Sequence, residues 1–320
     1  MSVIHESLIY IGLAFKVDTM DSKIWYNGEI KDYDKVKVPL LTHSLQYGSG
    51  VFEGIRAYET EKGAAIFRLK EHVERFVNSA KIYRLDLKHS ADEISRAIVD
   101  VVKINGLKSC YIRPFAFFSS DAIGLSTTGK ETAVCVAAVP FGQYFGDKAQ
   151  KGVRCKISSW RRINSDILPI LAKASGNYLN SVIASNEAEA AGFDEAILLS
   201  KNGYLAEGPG ENIFLVKDGK LITPGLEADI LFGITRFSLL ELAESLGIEV
   251  QERQIHRDEL FTCDEAFFCG TAAEVTPIVN VDGIKVGSGN VGEITKKIQK
   301  TFSDAVTGKL PEFRDWLTYV

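Results

Sequence analysis

The spacing of apolar residues along the chain predicts short strands and hairpins interleaved with amphipathic helices. Residues 70–83 form a helix in this reading, with an apolar face made by Leu69, Val73, Phe76, Val77 and Ala80. Asn27-Gly28 lies between short apolar runs and predicts a tight hairpin, because both residues accept positive φ angles.

The same patterns extend over the rest of the chain. Further helices are predicted over residues 91–105, 170–191, 235–246 and 291–306, and strands over 51–58, 64–69, 111–118, 132–139 and 153–159. Because strands and helices do not alternate strictly, we predict an α+β fold with largely antiparallel sheets.

A glycine-containing polar stretch predicts the division of the chain into two domains. Residues 140–152 carry three glycines, one proline and few aliphatic side chains, as a linker does. We therefore predict an N-terminal extension (1–22), a small domain (23–139), an interdomain loop (140–152) and a large domain (153–320).

Composition narrows the class of protein. Of 320 residues, 46% are hydrophobic and 25% charged, which excludes a disordered chain, a collagen and a coiled coil. The 37 Lys and Arg against 42 Asp and Glu give a net charge of −5, which argues against nucleic acid as the main partner. No apolar run is long enough to cross a membrane, and no signal peptide is recognisable, so we predict a cytoplasmic protein.

The five cysteines have no metal-binding or disulfide pattern. They show no CxxC spacing, and most lie in apolar runs, as small core residues of a reducing compartment do. We predict neither a disulfide framework nor a bound metal.

One motif suggests a dinucleotide site and is better explained as a turn. Residues 287–292 read GSGNVG, follow a predicted strand and open a helix. A Rossmann unit needs a further parallel strand and an acidic residue about 20 positions on. The remaining chain is too short for this, so we interpret the motif as a glycine-rich turn; a nicotinamide dehydrogenase stays the alternative from another class.

A lysine in an apolar setting is the first candidate for chemistry. Lys173 is flanked by apolar and small residues where a helix is predicted to begin. It either extends to solvent or is buried, and a buried lysine has a lowered pKa and can form a Schiff base with a carbonyl. Tyr178 follows five residues later, off the Lys173 face of a helix but within reach of the same cavity wall.

Other candidates are acidic and anion-binding. Glu207 and Glu211 flank a turn fixed by two glycines and a proline. Gly233 and Gly270 each precede a stretch whose backbone N–H groups could bind an anion. Arg75 lies on the predicted helix 70–83, where Glu71 would be its ordinary ion-pair partner. Together, a lysine, an acid, two N–H-rich turns and an arginine suit pyridoxal phosphate.

With these motifs in order, the chain resembles the branched-chain amino acid aminotransferases of the fold-type IV pyridoxal phosphate enzymes. The resemblance runs from about residue 24 to 307, and its matching segments are 47–48, 51–58, 72–75, 111–114, 158–160, 173–179, 207–212, 233–236 and 270–277. It implies a two-domain fold like that of D-amino acid aminotransferase, with a smaller N-terminal α/β domain and a larger C-terminal pseudo-barrel.

The resemblance also implies cofactor roles. Lys173 matches the Schiff-base lysine, Glu207 the acid at the pyridine nitrogen, and Tyr178 the hydroxyl at the phenolate oxygen. The phosphate would be bound by Arg75, Ile234, Thr235 and Thr271.

The implied substrate site has two parts. Thr271, Ala272 and Tyr111 would bind the α-carboxylate, and Arg113 the distal carboxylate of glutamate. The side-chain pocket would be lined by Phe52, Gly54, Tyr144, Tyr47, Ile123 and Leu125, of which Tyr47 and the loop at 123–125 come from a partner subunit. Phe141, where the family has a tryptophan, and the polar end of the 123–129 loop depart from the pattern.

The resemblance implies reversible transfer of the amino group from L-leucine, L-isoleucine or L-valine to 2-oxoglutarate, giving L-glutamate. This reaction ends branched-chain amino acid biosynthesis and begins degradation. A homodimer is the implied minimum, and assembly of dimers into a hexamer stays open. D-amino acid aminotransferase, aminodeoxychorismate lyase, an R-selective amine transaminase and a cofactor-binding protein without activity remain alternatives.

Overall fold

The computed structural model describes residues 22–142 and 144–320. Almost all of the predicted N-terminal extension therefore lies outside the described residues. In the described part, the strands are β1 (Lys23–Tyr26), β2 (Glu29–Asp32), β3 (Gly50–Phe52), β4 (Ile55–Thr60), β5 (Gly63–Phe67), β6 (Cys110–Phe118), β7 (Thr132–Pro140), β8 (Val153–Arg161), β9 (Glu195–Leu199), β10 (Leu205–Glu207), β11 (Asn212–Lys217), β12 (Lys220–Thr223), β13 (Val250–Glu252), β14 (Glu265–Gly270), β15 (Glu274–Val281), β16 (Ile284–Lys285) and β17 (Leu317–Tyr319). The α-helices are α1 (His43–Tyr47), α2 (Leu69–Ile82), α3 (Ala91–Ile104), α4 (Lys148–Lys151), α5 (Tyr178–Ala190), α6 (Ile234–Ser245), α7 (Glu259–Thr262) and α8 (Glu293–Val306).

The first half of the chain forms an antiparallel sheet. Its strands run in the order β17-β5-β4-β6-β7-β1-β2, and β3 pairs with β6. Helices α2 and α3 pack against each other, and α3 contacts β6 and β7. The buried positions of α2 include Leu69, Val73, Phe76 and Ala80, so the predicted apolar face is confirmed. The last strand, β17, returns to this sheet by pairing with β5.

The second half forms a closed, barrel-like sheet. Strands β10, β9, β8, β15, β14 and β11 are neighbours in that order, and β10 also pairs with β11, which closes the ring. Three of the pairs, β8–β9, β8–β15 and β12–β13, are parallel, and the others are antiparallel. The predicted α+β class is confirmed, and the division into domains at residues 140–152 stays a prediction.

Apolar packing joins the two sheets. One buried cluster lies under the first sheet, and another fills the barrel. A third combines Phe67 of β5 with Phe214 of β11, Phe302 of α8 and Trp316 beside β17. Contacts between aromatic rings fix these positions, with Phe67 edge-on to Phe302 at 5.6 Å and to Trp316 at 5.8 Å between ring centroids.

One element differs from the sequence pattern in a way that matters for the site. The helix predicted over 170–191 begins only at Tyr178 (α5), after a 3₁₀ turn at Ser175–Asn177. Residues 287–292 form a glycine-rich turn, as interpreted from the sequence. The turn ends at Gly292, the N-cap of α8, and the strand that follows, β17, is antiparallel to its partner β5.

Within residues 22–142 and 144–320, no helix is both long and apolar enough to span a bilayer.

Candidate active site

Seven side chains predicted to bind a cofactor line one cleft at the edge of the barrel. The cleft combines apolar side chains with several charged and polar groups, as small-molecule sites do. Its walls include Arg75, Lys173, Tyr178, Glu207, Ile234, Thr235 and Thr271. Residues far apart in sequence thus meet at one place, because α2, the loop before α5, the β10–β11 turn, α6 and the β14–β15 turn converge there.

Lys173 lies in an extended segment, which corrects the helix predicted around it. Its N–H donates to the Ser79 hydroxyl at 3.0 Å, its C=O accepts from Phe52 N–H at 3.0 Å, and Ala174 bridges to Val51 of β3. The segment around Lys173 contains Gly176 and has a weak tendency to form a helix, so pairing with β3 determines its conformation instead. The Lys173 amine contacts the Tyr178 hydroxyl directly.

The environment of Lys173 favours its uncharged form. Burial, followed by the nearby Arg75 charge, lowers the pKa of Lys173 to about 8, and Glu53 opposes this shift. An ordinary lysine has a pKa near 10.4, so Lys173 has far more neutral amine at pH 7 to 8. A neutral amine can attack a carbonyl and accept a proton, so Lys173 is the candidate nucleophile and base of this cleft.

Glu207 is a buried acid with several donors directed at it. Its carboxylate lies 2.6 Å from Arg162 Nε, and it accepts from Asn212 Nδ2 at 2.9 Å and from Leu231 N–H at 3.1 Å. Burial raises the pKa of Glu207, while the Arg162 charge and the Leu231 hydrogen bond lower it. These donors fix the position of the Glu207 carboxyl group, which also lines the cleft and can accept a hydrogen bond from a ligand there.

The start of α6 offers a binding place for an anion. The first N–H groups of a helix have no partner within it, and here they belong to Ile234 and Thr235. Gly233 precedes them, and a Cβ at that position would lie 1.8 Å from Asn212 Oδ1, so only glycine fits. Arg75 and Thr271 line the same cleft and complete a cationic, N–H-rich cup.

Arg75 has a different ion-pair partner from the one that its helix suggests. Its Nε and Nη2 donate to the two oxygens of Glu53 at 2.6 and 2.8 Å, and its Nη1 donates to Phe232 C=O at 2.8 Å. Glu71, the expected partner, pairs with Arg68 instead. Sequence reasoning missed Glu53 and Arg162 as members of the site, since neither has a local signal of its contacts.

Four of the predicted substrate residues cluster beside Lys173. The Phe52 ring packs edge-on against the Tyr178 ring at 4.8 Å, and the Arg113 guanidinium lies over Phe52 at 4.6 Å. Arg113 Nη2 donates to the Tyr111 hydroxyl at 3.2 Å. A Cβ at Gly54 would lie 1.9 Å from that hydroxyl, so glycine is required for Tyr111 to approach.

Ala272 and Tyr144, two further predicted substrate residues, are half-buried. Ala272 belongs to the half-buried β14–β15 turn, next to Thr271. Burial and then the Glu211 charge raise the pKa of Tyr144, whose ring packs against Phe145 at 4.8 Å. Phe141, which departs from the family pattern, packs against Tyr111 at 5.0 Å.

Tyr47, Ile123 and Leu125 lie on the surface of this chain, and none of them lines the cleft described above. Ile123 is 73% exposed and Leu125 79%, and Tyr47 is 38% exposed. They contact each other, because Gly124 N–H donates to the Tyr47 hydroxyl at 3.2 Å. Their contribution to a partner subunit's pocket stays a prediction.

Comparison with known proteins shows the family to which the chain is similar. The model of the class IV amino-transferase family matches residues 50–281. Branched-chain-amino-acid aminotransferases of Escherichia coli K12 and Pseudomonas aeruginosa are 45% and 46% identical to this chain, over 93% and 94% of it and 97% and 98% of their own lengths.

Solved structures of similar proteins share the fold. A branched-chain aminotransferase from Thermoproteus uzoniensis, solved with norvaline, matches with 47% identity and a TM-score of 0.89, over 93% of this chain and 98% of its own. A branched-chain amino acid aminotransferase from Thermobaculum terrenum, solved in its PLP-bound holo-form, matches with 35% identity and a TM-score of 0.88, over 94% of this chain and 98% of its own.

Proposed function

Since the chain belongs to the class IV aminotransferase family, we propose that it catalyses reversible transfer of the amino group of L-leucine, L-isoleucine or L-valine to 2-oxoglutarate. The products are the branched 2-oxo acid and L-glutamate. The observation that carries the proposal is the convergence of Lys173, Tyr178 and Glu207 in one cleft, with Arg113 beside Phe52 at its substrate side.

The cleft fits pyridoxal 5'-phosphate as cofactor. Lys173 would bind it covalently, Glu207 would face the ring nitrogen, and Tyr178 would face the phenolate oxygen. Its phosphate would be bound by Arg75, Ile234, Thr235 and Thr271. When bound, the cofactor supplies an electron sink for negative charge that develops at the substrate Cα.

Lys173 is proposed to move the proton that transamination requires. Because burial lowers its pKa to about 8, the released amine can take a proton from the substrate Cα, and it would deliver that proton to the aldehyde-derived carbon of the cofactor, two bonds away. Tyr178, in contact with Lys173 Nζ, holds the amine beside the reacting atoms. Holding both groups in place converts the proton transfer into an intramolecular step.

The substrate side of the cleft combines an apolar wall with one cation. The Phe52 ring can contact a branched aliphatic side chain, and the Arg113 guanidinium, 4.6 Å from that ring, can pair with the distal carboxylate of glutamate. One pocket can therefore accept both leucine and glutamate, as the two halves of the reaction require. Thr271, Ala272 and Tyr111 are proposed to bind the α-carboxylate that both substrates share.

We also propose that the enzyme is cytoplasmic and at least a homodimer. Leu40, Leu45, Ile123 and Leu125 are 63–80% exposed, and Tyr47 lies among them in contact with the 123–125 loop. Clustered exposed apolar residues are typical of interaction surfaces. In the proposed dimer this surface faces the partner subunit's cleft and completes its side-chain pocket.

The proposed reaction is tested by stereospecificity. We expect purified protein with pyridoxal phosphate to convert L-leucine and 2-oxoglutarate into glutamate, with kcat/KM at least about a hundredfold above that for D-alanine. The physical reason is that a D-amino acid presents its Cα hydrogen and side chain differently to Lys173 and Phe52. Amino transfer from D-alanine alone would make the protein a D-specific relative, and oxidation with a nicotinamide cofactor alone would reject the transaminase.

Removal of the cation at the substrate side should separate the two substrates. We expect Arg113→Leu to raise the KM for 2-oxoglutarate by about 10- to 100-fold, the value of a charged hydrogen bond, and to change the KM for L-leucine less than about threefold. Steady-state kinetics with each substrate varied in turn measure this split. Arg96→Leu, at an exposed position of α3, is the matched control. Equal losses for both substrates would refute the assigned role of Arg113.

A further inference from the structure

We propose that Glu53 is a positioning residue that fixes the Arg75 guanidinium for the phosphate of the cofactor. The inference rests on the proposed function and assigns to Glu53 a role in selecting a phosphorylated ligand. Glu53 would not touch the ligand; it would act through Arg75.

The contact between the two side chains is bidentate and buried. Glu53 Oε1 accepts from Arg75 Nε at 2.6 Å, and Glu53 Oε2 accepts from Arg75 Nη2 at 2.8 Å. The Glu53 side chain is fully buried, and 13% of the Arg75 side chain is exposed. Two parallel bonds define the plane of a guanidinium, which one bond cannot do.

Glu53 is itself held from two further directions. His72 Nδ1 lies 2.7 Å from Glu53 Oε2, and Gly54 N–H donates to the same oxygen at 3.2 Å. Burial disfavours the charged form of Glu53, but the Arg75 charge and the hydrogen bonds with Arg75 and His72 outweigh it and hold the pKa of Glu53 well below its ordinary range. Burial lowers the pKa of His72, so Glu53 and Arg75 form the charged pair and His72 is its neutral neighbour.

The backbone around Glu53 is fixed as well. Phe52 N–H donates to Lys173 C=O at 3.0 Å, and Glu53 N–H donates to Pro114 C=O at 2.9 Å. The carboxylate is therefore anchored between the segment that carries Lys173 and strand β6. A rigid acceptor at a set distance can orient its partner with the precision that ligand binding needs.

Orientation matters because few donors of Arg75 remain for a ligand. A guanidinium carries five N–H groups. Two are used by Glu53 and one by Phe232 C=O, which leaves one on each Nη atom. To bind the same phosphate as the N–H groups of Ile234 and Thr235, these two N–H groups of Arg75 must point into the cleft. The contacts with Glu53 would set that direction.

The effect of Glu53→Gln distinguishes positioning from simple charge. If Glu53 were only a nearby negative charge, its removal would strengthen binding of an anionic phosphate at Arg75. If it positions Arg75, its removal weakens that binding. We expect the Kd for pyridoxal 5'-phosphate to rise about 10- to 100-fold, and the Kd for pyridoxal, which lacks the phosphate, to change less than about threefold.

The experiment measures both Kd values for the wild-type and variant proteins by absorbance titration of the apoprotein. Glu59→Gln is the matched control, since Glu59 lies nearby in sequence but is a surface partner of Lys108. Glu53→Asp keeps the charge and shortens the side chain, so it serves if Glu53→Gln does not fold. We expect it to weaken pyridoxal phosphate binding as well, again with pyridoxal little affected.

The outcomes separate this inference from the proposed function. Unchanged or tighter pyridoxal phosphate binding by Glu53→Gln or, where that variant does not fold, by Glu53→Asp would overturn the positioning role, as would equal weakening for pyridoxal and its phosphate. Failure of the wild-type protein to bind pyridoxal phosphate would overturn the proposed function itself. Selective loss of the phosphorylated ligand in the variants supports both.

Discussion

Lys173→Ala is expected to lower kcat at least about a thousandfold while the protein still binds pyridoxal phosphate. The substitution removes both the nucleophile and the proton carrier, and general acid–base catalysis alone is worth about 10²- to 10⁴-fold. The phosphate cup of Arg75, Ile234 and Thr235 does not involve Lys173 and should hold the cofactor without it. Single-turnover amino transfer from L-leucine, with cofactor content measured separately, checks the result.

Two comparisons make the Lys173→Ala result specific. Lys201→Ala removes an exposed lysine, paired with Asp166, from the same half of the chain, and we expect it to keep the wild-type rate. Retention of the wild-type rate by Lys173→Ala would remove the basis of the proposed mechanism. Loss of both activity and cofactor would show that Lys173 contributes mainly to binding.

Glu207→Gln is expected to lower kcat about a hundredfold or more at saturating cofactor. The change removes the negative charge proposed to face the ring nitrogen, so the electron sink at the substrate Cα becomes weaker. Glutamine keeps the shape and one acceptor oxygen, and the hydrogen bonds from Asn212 and Leu231 can be kept in part. Steady-state kinetics with L-leucine and 2-oxoglutarate measure the effect.

Glu207→Gln also needs a stability control, because it leaves the buried Arg162 without its ionic partner. Thermal unfolding of the apoprotein separates a loss of folded protein from a loss of rate. Glu249→Gln removes an exposed ion pair with Lys220 and serves as the matched variant, for which we expect unchanged kcat. A wild-type kcat in folded Glu207→Gln would contradict the role assigned to Glu207.

Local pattern was sufficient for much of the fold. The Asn27-Gly28 hairpin forms as predicted between β1 and β2, since turn type there depends on two adjacent residues. Helix α2 also forms as predicted, because the apolar residues that define its buried face are only three or four positions apart in the sequence. The helix predicted to begin near residue 170 was wrong at its start, because pairing of Ala174 with Val51 is a tertiary contact that periodicity does not contain.

The site was predictable where a motif carries the chemistry and unpredictable where distant contacts do. Lys173, Tyr178 and Glu207 belong to motifs, and the structure brings them into one cleft. Arg75 was recognised, but its partner Glu53 was not, because helical spacing pointed to Glu71. Arg162 belongs to no motif. Its contact with Glu207 arises only in the folded barrel, where the end of β8 lies near β10.

The pairing of β17 with β5 has a consequence for how the protein is made. Phe67 and Leu317 are partners across this pair, so one edge of the first sheet stays open until residues 317–319 have left the ribosome. An unpaired strand edge can pair with another chain, and contacts between distant residues form slowly. We therefore expect aggregation of nascent chains to be greatest after the first sheet has formed and before β17 pairs with β5.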